Sequence, residues 1–456
     1  MNRSGPVVGL ACAVQFIDVV GVTLLVVALP AIQQDLSLGP AALSWAAAIY
    51  ALAFGGLLIL GGRTADLLGH RPMFIAGNAV VVAGSILCAV ADSAAVLLAG
   101  RALQGIGAAA SVPAALAAIL AVVPAGPRRG RALGLWTMAG AVGGASGFVL
   151  GGVVTELVGW RWLFAVVALV ALVAAVAAPG VLPPDRERAT REPLDILGAA
   201  LVTGAAVLVM VGLQRAETSG FSAVSSWLPL LLAPAVAAAF AAWERRTAAP
   251  LVPPHLWSLS TFRVGAGTAF LLTATTSGGS VISTLFLQDQ LHLSPGQSGA
   301  AFLLVSGGVA ATSLAAPAVL RRVGTTATLL AGFAVVAAAM LTQALAVALH
   351  SLPVFLPGLA LTGLGLGLAS VASTTHGTTN ADESTSGVIG GLLNAAAQIG
   401  TAVGIALLLT TATTWPGNGE LAAYGVAALT CVGALAAVAL SASTRTAAEG
   451  THERQS

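Results

Sequence analysis

The sequence contains no lysine. All 19 of its Lys-plus-Arg residues are arginine. A P-loop needs a lysine on the nucleotide phosphates, so the chain carries no ordinary nucleotide-hydrolysing motor. A lysine Schiff base is excluded by the same count. Uphill work by this protein must draw on a partner subunit or on an ion gradient. A G+C-rich genome, through its arginine, alanine and glycine codons, gives the same bias; the exclusion stands whatever its origin. Charge of either sign is scarce too, at 8% of 456 residues, against roughly 25% in soluble domains. Hydrophobic residues make up 57% and the mean hydropathy is +0.95. A soluble chain of this length needs far more polar surface, so the expected fold class is an all-α polytopic membrane protein.

Cysteine is nearly absent. Cys12, Cys88 and Cys431 lie in apolar runs without Cys-x-x-Cys spacing and read as small buried hydrophobes. The six histidines, at 70, 255, 292, 350, 376 and 452, fall in loops, tails or segment ends. They form no zinc-type cluster, so no metal and no cofactor is expected. A net charge of +2 gives no reason to expect nucleic acid as a partner. Glycine is abundant, at 54 positions, which suits close helix packing in lipid.

A membrane span takes roughly 20 apolar residues. Such segments fall at about 7–29, 44–62, 73–92, 94–121, 132–157, 160–182, 194–213, 227–243, 263–287, 299–319, 327–347, 353–374, 387–412 and 422–440. The first is too long for a signal peptide and carries Gln15 and Asp18. With the N-terminus in the cytoplasm, arginines 3, 63, 71, 128, 129, 131, 186, 188, 191, 245, 246, 263, 321, 322, 445 and 454 share that side. Only Arg161 and Arg215 face outward, and Arg101 lies within a segment. This asymmetry predicts both termini in the cytoplasm and an even number of helices.

The halves echo each other: Gly69-x6-Ala76-Gly77 recurs as Gly324-x6-Ala331-Gly332. Repeated bundles with a midplane site mark secondary transporters. The expected organisation is a six-helix bundle with a cytoplasmic hinge loop over 1–193, inserted helices 7 and 8 with their linker over 194–260, a second bundle over 261–445, and a tail over 446–456. The polar stretch 183–193 marks the hinge.

Asp18 lies near the middle of the first segment. A carboxylate there costs about 2.5–3.5 kcal/mol on insertion scales, and such residues face a cavity and have a task by default. It is either a proton carrier or a structural hydrogen bond that locks the helix. Arg101, with Gln104 one turn away, sits about 9 Å outward of the midplane at 1.5 Å per residue. It either snorkels or faces the cavity and tunes a carboxylate such as Asp18. Gly134, Gly143, Gly147, Gly151 and Gly152 line one side of the fifth segment, where tight helix packing is expected. Asn394 and Gln398, one turn apart, either bind substrate or bridge helices. The hydroxyls of Thr273–Ser277 are expected to satisfy their own helix backbone. Gly105-x-Gly107-x-x-Ala110 and Gly363-x-Gly365-x-Gly367 mimic dinucleotide fingerprints, but no strand precedes them. Gly144-Ala145-Ser146-Gly147 fits an intramembrane serine protease, yet no base accompanies it. No enzyme is expected.

The charged loop Gly61–Arg71 is pinned between apolar runs, and its pattern G-x-x-A-D-x-x-G-x-R resembles the loop joining helices 2 and 3 of major facilitator superfamily transporters. Other elements follow in order. They are Asp18 with Ala28-Leu29-Pro30, Arg101-x-x-Gln104-Gly105-x-Gly107, Trp160-Arg161-Trp162-x-Phe164, Leu194-Asp195-x-x-Gly198, Glu244-Arg245-Arg246-x4-Pro250-Leu251, Leu287-Gln288-x5-Ser294-Pro295 and the segment 394–404. Over about residues 10–440 the chain resembles the fourteen-helix drug:proton antiporter branch of that superfamily.

The resemblance implies two six-helix bundles plus two inserted helices. It implies proton coupling at Asp18 assisted by Arg101, and a cytoplasmic conformational latch at Gly62, Arg63, Asp66, Gly69 and Arg71. It also implies export of lipophilic small molecules, drugs or antibiotics, across the plasma membrane. Gln15, Gln104, Phe148, Asn394 and Gln398 are the expected cavity residues. Phe148 stands where the branch has the proline of a Gly-Pro pair, so the kink that proline supplies is missing, and Phe148 either plugs or lines the cavity. The expected function is proton-driven efflux by alternating access, by a monomer in the lipid bilayer. The alternatives are a dedicated exporter or importer of one endogenous metabolite, the intramembrane protease, and a non-transporting sensor.

Overall fold

The computed structural model describes residues 4–124, 126–184, 194–220, 223–379, 383–415 and 417–452. Arginines 3, 186, 188, 191 and 454 and most of the expected hinge, 185–193, lie outside the described residues, as does the side chain of Arg445. Fourteen described helices are long and apolar enough to cross a membrane. They are α1 Ser4–Asp35, α2 Pro40–Leu68, α3 His70–Ala89, α4 Ala94–Val122, α5 Pro127–Leu157, α6 Arg161–Val181, α7 Ile196–Ser219, α8 Val224–Glu244, α9 Ser260–Leu285, α10 Pro295–Val323, α11 Thr325–Leu349, α12 Leu352–Gly377, α13 Glu383–Thr414 and α14 Gly419–His452. A turn of helix at Pro254–Ser258 precedes α9, and a π-helical turn at Phe286–Gln290 extends it. Helix is what lipid demands, because each backbone group must find its partner within the segment. Each expected span falls on one helix, and most helices run on into polar ends.

Alternation of fourteen spans gives the molecule two faces. One gathers the described arginines 63, 71, 128, 129, 131, 245, 246, 263, 321 and 322 at helix ends and loops, and is called the arginine face below. Arg161 and Arg215 lie at the opposite face. The packing is that of a repeat. In the first bundle α1 packs on α5, α3 on α4 and α6, and α2 on α4; in the second α9 packs on α13, α11 on α12 and α14, and α10 on α12. Between the bundles α2 meets α13 and α5 meets α10, which are again equivalent pairs. The inserted α7 and α8 pack on each other, and α7 rests on both α2 and α13.

The echoed glycines do the same work in both halves. Gly69 is the single residue between α2 and α3, at φ +104°, and Gly324 the single residue between α10 and α11, at φ +81°. Side chains strain there, and glycine does not. Glycine also sets the closest helix crossing. A Cβ on Gly84 of α3 would lie 2.6 Å from the Gly100 carbonyl oxygen of α4, and one on Gly100 would lie 2.7 Å from the Gly84 carbonyl oxygen. Gly77 and Gly107 repeat this reciprocal contact two turns away, at 2.7 and 2.5 Å. Lipid supplies no hydrophobic drive between helices, so such backbone approach is what holds them.

On α5, Gly143, Gly147 and Gly151 lie against the α1 backbone and Thr23, and Gly152 lies against Pro295 of α10. Gly134 departs from expectation: nothing lies within 4 Å of an added Cβ there, because α5 diverges from α1 towards the arginine face. The pair gives a test. Gly84→Val is expected to cost about 1–3 kcal/mol by overpacking and to lower the midpoint of thermal unfolding in detergent, followed by tryptophan fluorescence. Gly134→Ala is expected to leave the midpoint unchanged or raise it slightly.

Candidate functional site

Five polar side chains connect inside the first bundle. Arg101 of α4 is 1% exposed. One of its terminal amino groups donates to the Gly21 carbonyl of α1 at 3.1 Å and to Gln104 Oε1 at 3.0 Å. Its guanidinium carbon stands 4.7 Å from the centre of the Tyr50 ring, a desolvated cation–π contact worth about 2 kcal/mol. Gln104 Nε2 donates to Ser85 Oγ of α3 at 2.8 Å. Tyr50 in turn donates its hydroxyl hydrogen to the half-buried carboxylate of Asp18. Arg101 and Asp18 form no ion pair; Tyr50 stands between them. Arg101 is turned into the bundle rather than towards its surface, and it meets Asp18 only through Tyr50.

A small cavity of about 20 Å³ adjoins the group, lined by Asp18, Tyr50, Asn78, Gln104 and Ser111. That is room for one water with several polar neighbours. The carboxylate and the phenol thus border the same polar space. Tyr50 was not among the expected residues. It sits in an apolar run 32 residues from Asp18, with no motif to mark it.

The expected cavity residues divide. Gln104 is buried inside the first bundle, away from the meeting of the two bundles. Gln15 is half-buried, with its amide nitrogen 3.0 Å from where a Gly140 Cβ would stand. Gln398 is half-buried, its Cβ 2.6 Å from where one on Gly55 of α2 would stand, and Asn394 one turn away is exposed. Phe148 is buried and stacks on Phe302 of α10, with centroids 4.5 Å apart and planes 8° from parallel. It plugs the α5–α10 contact rather than lining an open space. Beside it, Glu156 accepts from Ser294 Oγ and the Gly296 N–H, both at 2.8 Å, and Gln288 Nε2 donates to the Val27 carbonyl at 2.9 Å. These bonds tie the bundles together at the opposite face. The larger cavity, about 790 Å³, opens near the arginine face between α1, the end of α4 and α5.

Of the expected latch residues, Arg63 donates to the Ala249 carbonyl at 2.7 Å and to the Pro250 carbonyl. It therefore grips the loop after α8. Glu244 holds the same loop by accepting from Val252 N at 2.8 Å and Leu251 N at 3.3 Å. Asp66 is exposed, with an oxygen 3.7 Å from His70 Nε2. Gly62 lies 3.6 Å from Pro113 by the same Cβ measure, and Arg71 is the second residue of α3. In α9, Thr275 and Thr276 bond their own helix carbonyls at 2.8 and 2.9 Å. Thr273 likewise lies at 3.1 and 3.2 Å from the Ala269 and Phe270 carbonyls of its own helix and also reaches the Ala397 carbonyl of α13 at 2.6 Å, whereas Ser277 departs from the expectation and meets Thr401 Oγ1 of α13 at 3.2 Å. Residues one turn apart share a face, and here that face meets a neighbour.

The Asp18–Tyr50 bond is testable as a pair. In a double-mutant cycle of Asp18→Asn and Tyr50→Phe, the thermal midpoints are expected to be non-additive, with a coupling of about 0.5–3 kcal/mol. Additivity would mean the two side chains act independently.

The family profile described as Major Facilitator Superfamily matches residues 11–405. The Cephamycin export protein CmcT of Amycolatopsis lactamdurans is 36% identical over 410 residues, covering 88% of this chain and 83% of that protein. The Puromycin resistance protein pur8 of Streptomyces alboniger is 34% identical over 421 residues, covering 90% and 81%. Among solved structures, the POT family transporter PepTSo superposes with a TM-score of 0.71 over 98% of both chains, at 13% identity, a likeness of fold alone. Profile, relatives and fourteen-helix architecture agree: the chain is a multi-pass membrane transporter that belongs to the major facilitator superfamily.

Proposed function

We propose that this protein exports lipophilic small molecules, drugs or antibiotics, in exchange for protons by alternating access. The observation that carries the reading is the Asp18 carboxylate, held by the Tyr50 hydroxyl inside an apolar bundle and backed by a buried guanidinium. Intramembrane ionisable groups mark ion pathways, and no lysine-dependent nucleotide motor resides in the chain. Curated relatives named for antibiotic export or resistance support the direction of transport. The cytoplasm lies at the arginine face in this reading, as the positive-inside bias requires, with both termini there. The moving units are the bundles over 1–193 and 261–445, with 194–260 inserted between them. A single chain supplies both bundles, so a monomer is sufficient.

The ties at the opposite face and the cavity near the arginine face fit an inward-open state. In the cycle, Asp18 takes a proton from outside and releases it to the cytoplasm, and each change of charge alters how well the carboxyl holds Tyr50. One charge crossing 100 mV gains about 2.3 kcal/mol, and 1.36 kcal/mol is a factor of ten. A one-for-one exchange could then sustain a roughly 50-fold gradient of a neutral cargo. Relatives named for a single compound, such as the cephamycin exporter, favour a second reading in which the cargo is one endogenous metabolite.

The test is proton release from acidified inverted membrane vesicles on addition of lipophilic drugs. Wild type is expected to collapse the pH gradient and Asp18→Asn to leave it intact. A response that persists in Asp18→Asn would remove Asp18 from the coupling, and silence across a broad panel would sink the multidrug reading.

A further inference from the structure

The cavity of about 790 Å³ near the arginine face is within the 300–1,000 Å³ of ligand pockets. Its walls are apolar, with Val8 and Phe16 from α1 facing Leu135 and Met138 from α5. Its charged groups are of one sign. Arg128 and Arg131 line it, and among the described residues no carboxylate does. On α5 the two arginines continue the face of Leu135 and Met138, at intervals of three and four residues, so charge and apolar surface form one stripe. Leu135 and Met138 are 47% and 55% exposed.

The neighbouring Arg129 is engaged, with Nε donating to the Val123 carbonyl at 3.0 Å and a terminal amino group to the Leu120 carbonyl at 3.2 Å, which caps α4. Arg128 and Arg131 have no such bond and no ion pair among the described residues. Two unengaged guanidinium groups at the polar end of an apolar cavity complement a molecule with the opposite layout. One-sign clefts also concentrate the counter-charge, and guanidinium is the group that matches carboxylate, sulfonate or phosphate geometry.

We infer that this cavity binds an amphiphilic anion, its hydrophobic body between α1 and α5 and its anionic group on Arg128 and Arg131. If the occupant is cargo, a step that rests on the efflux reading, the exporter prefers lipophilic acids to lipophilic cations. The same chemistry is offered by an anionic lipid of the membrane, and the two sources separate by experiment.

The probes are anilinonaphthalene sulfonate and phenylnaphthylamine, which share an aromatic body and differ by the anionic group. Titrated by fluorescence onto the full chain in phosphatidylcholine nanodiscs, the sulfonate is expected to bind saturably. Arg128→Gln/Arg131→Gln is expected to weaken it by about tenfold or more, with little change for the uncharged probe. Arg245→Gln/Arg246→Gln removes two charges from the same face outside this cavity and is expected to leave both probes unchanged. Equal losses in the two double variants, or equal losses for the two probes, would overturn the inference, as would non-saturable binding. Competition by added phosphatidylglycerol would keep the site and assign it to lipid. Displacement by a lipophilic carboxylic acid that also discharges the vesicle pH gradient would assign it to cargo. Probe binding needs no transport, so failure of the efflux reading would leave this result standing.

Discussion

A guanidinium 1% exposed, with no carboxylate among the described residues touching it, is the constraint around which the first bundle is arranged. Arg101 cannot be left to hydrocarbon, and the protein answers with dipoles: the Gly21 carbonyl from α1, the Gln104 amide from its own helix, and the face of Tyr50 from α2. Three helices are thereby tied to one charge, and Gln104 carries the tie on to Ser85 of α3. Tyr50 serves twice, because the ring that receives the cation also bears the hydroxyl that donates to Asp18. Asp18 and Arg101 thereby share Tyr50 without touching each other. Local hydrogen bonding and long-range packing are here the same set of atoms.

Around this centre, shape is governed by what is missing from side chains. α3 and α4 touch through paired glycines, and α1 and α5 through Gly143, Gly147 and Gly151, so backbones rather than side chains set the spacing. The second bundle solves the problem similarly, with Gly332 and Gly365 between α11 and α12 and Gly278 and Gly404 between α9 and α13. Its polar core is different. Ser283, Tyr424, Gln343 and Thr362 bond one another at 2.8–3.3 Å with no charge among them. The halves share a scaffold, while the buried guanidinium with its phenol and carboxylate belongs to the first.

Much of this was legible in the sequence because the bilayer is a strict solvent. Apolar length located all fourteen helices, and the glycine echo at 69 and 324 located equivalent links in the repeat. The ordered motifs marked junctions. Asp195 caps α7 by accepting from Gly198 N at 2.8 Å, Ser294 caps α10 in a capping box with Gln297, and Trp160 and Arg161 both hold Asp35. What could not be read was which partner each residue would meet. Tyr50 has no periodic or motif signature, and its value arises only when α2 and α4 cross. Phe148 was recognisable as a substitution, but its neighbour Phe302 lies on a helix of the other bundle. Gly134 looked like its neighbours by spacing alone, since a glycine stripe does not say where two helices part.

The inserted pair lies outside the repeat of the two bundles and bears on how they can move. α7 packs against α2 and α13 together, along one of the two seams between the bundles. At the arginine face Arg63 fixes the end of α2 to the Ala249 and Pro250 carbonyls, and Glu244 fixes the same loop to the end of α8. The α2–α13 seam is thus braced from outside the bundles, whereas α5 and α10 meet through Phe148, Gly152, Phe302 and the Glu156 contacts near the opposite face. The α5–α10 contacts run directly between the two bundles, two Glu156 hydrogen bonds and one ring stack, and involve no inserted element. In the proposed cycle that seam swings while the braced one acts as the hinge, and Arg63 then limits how far α2 can follow.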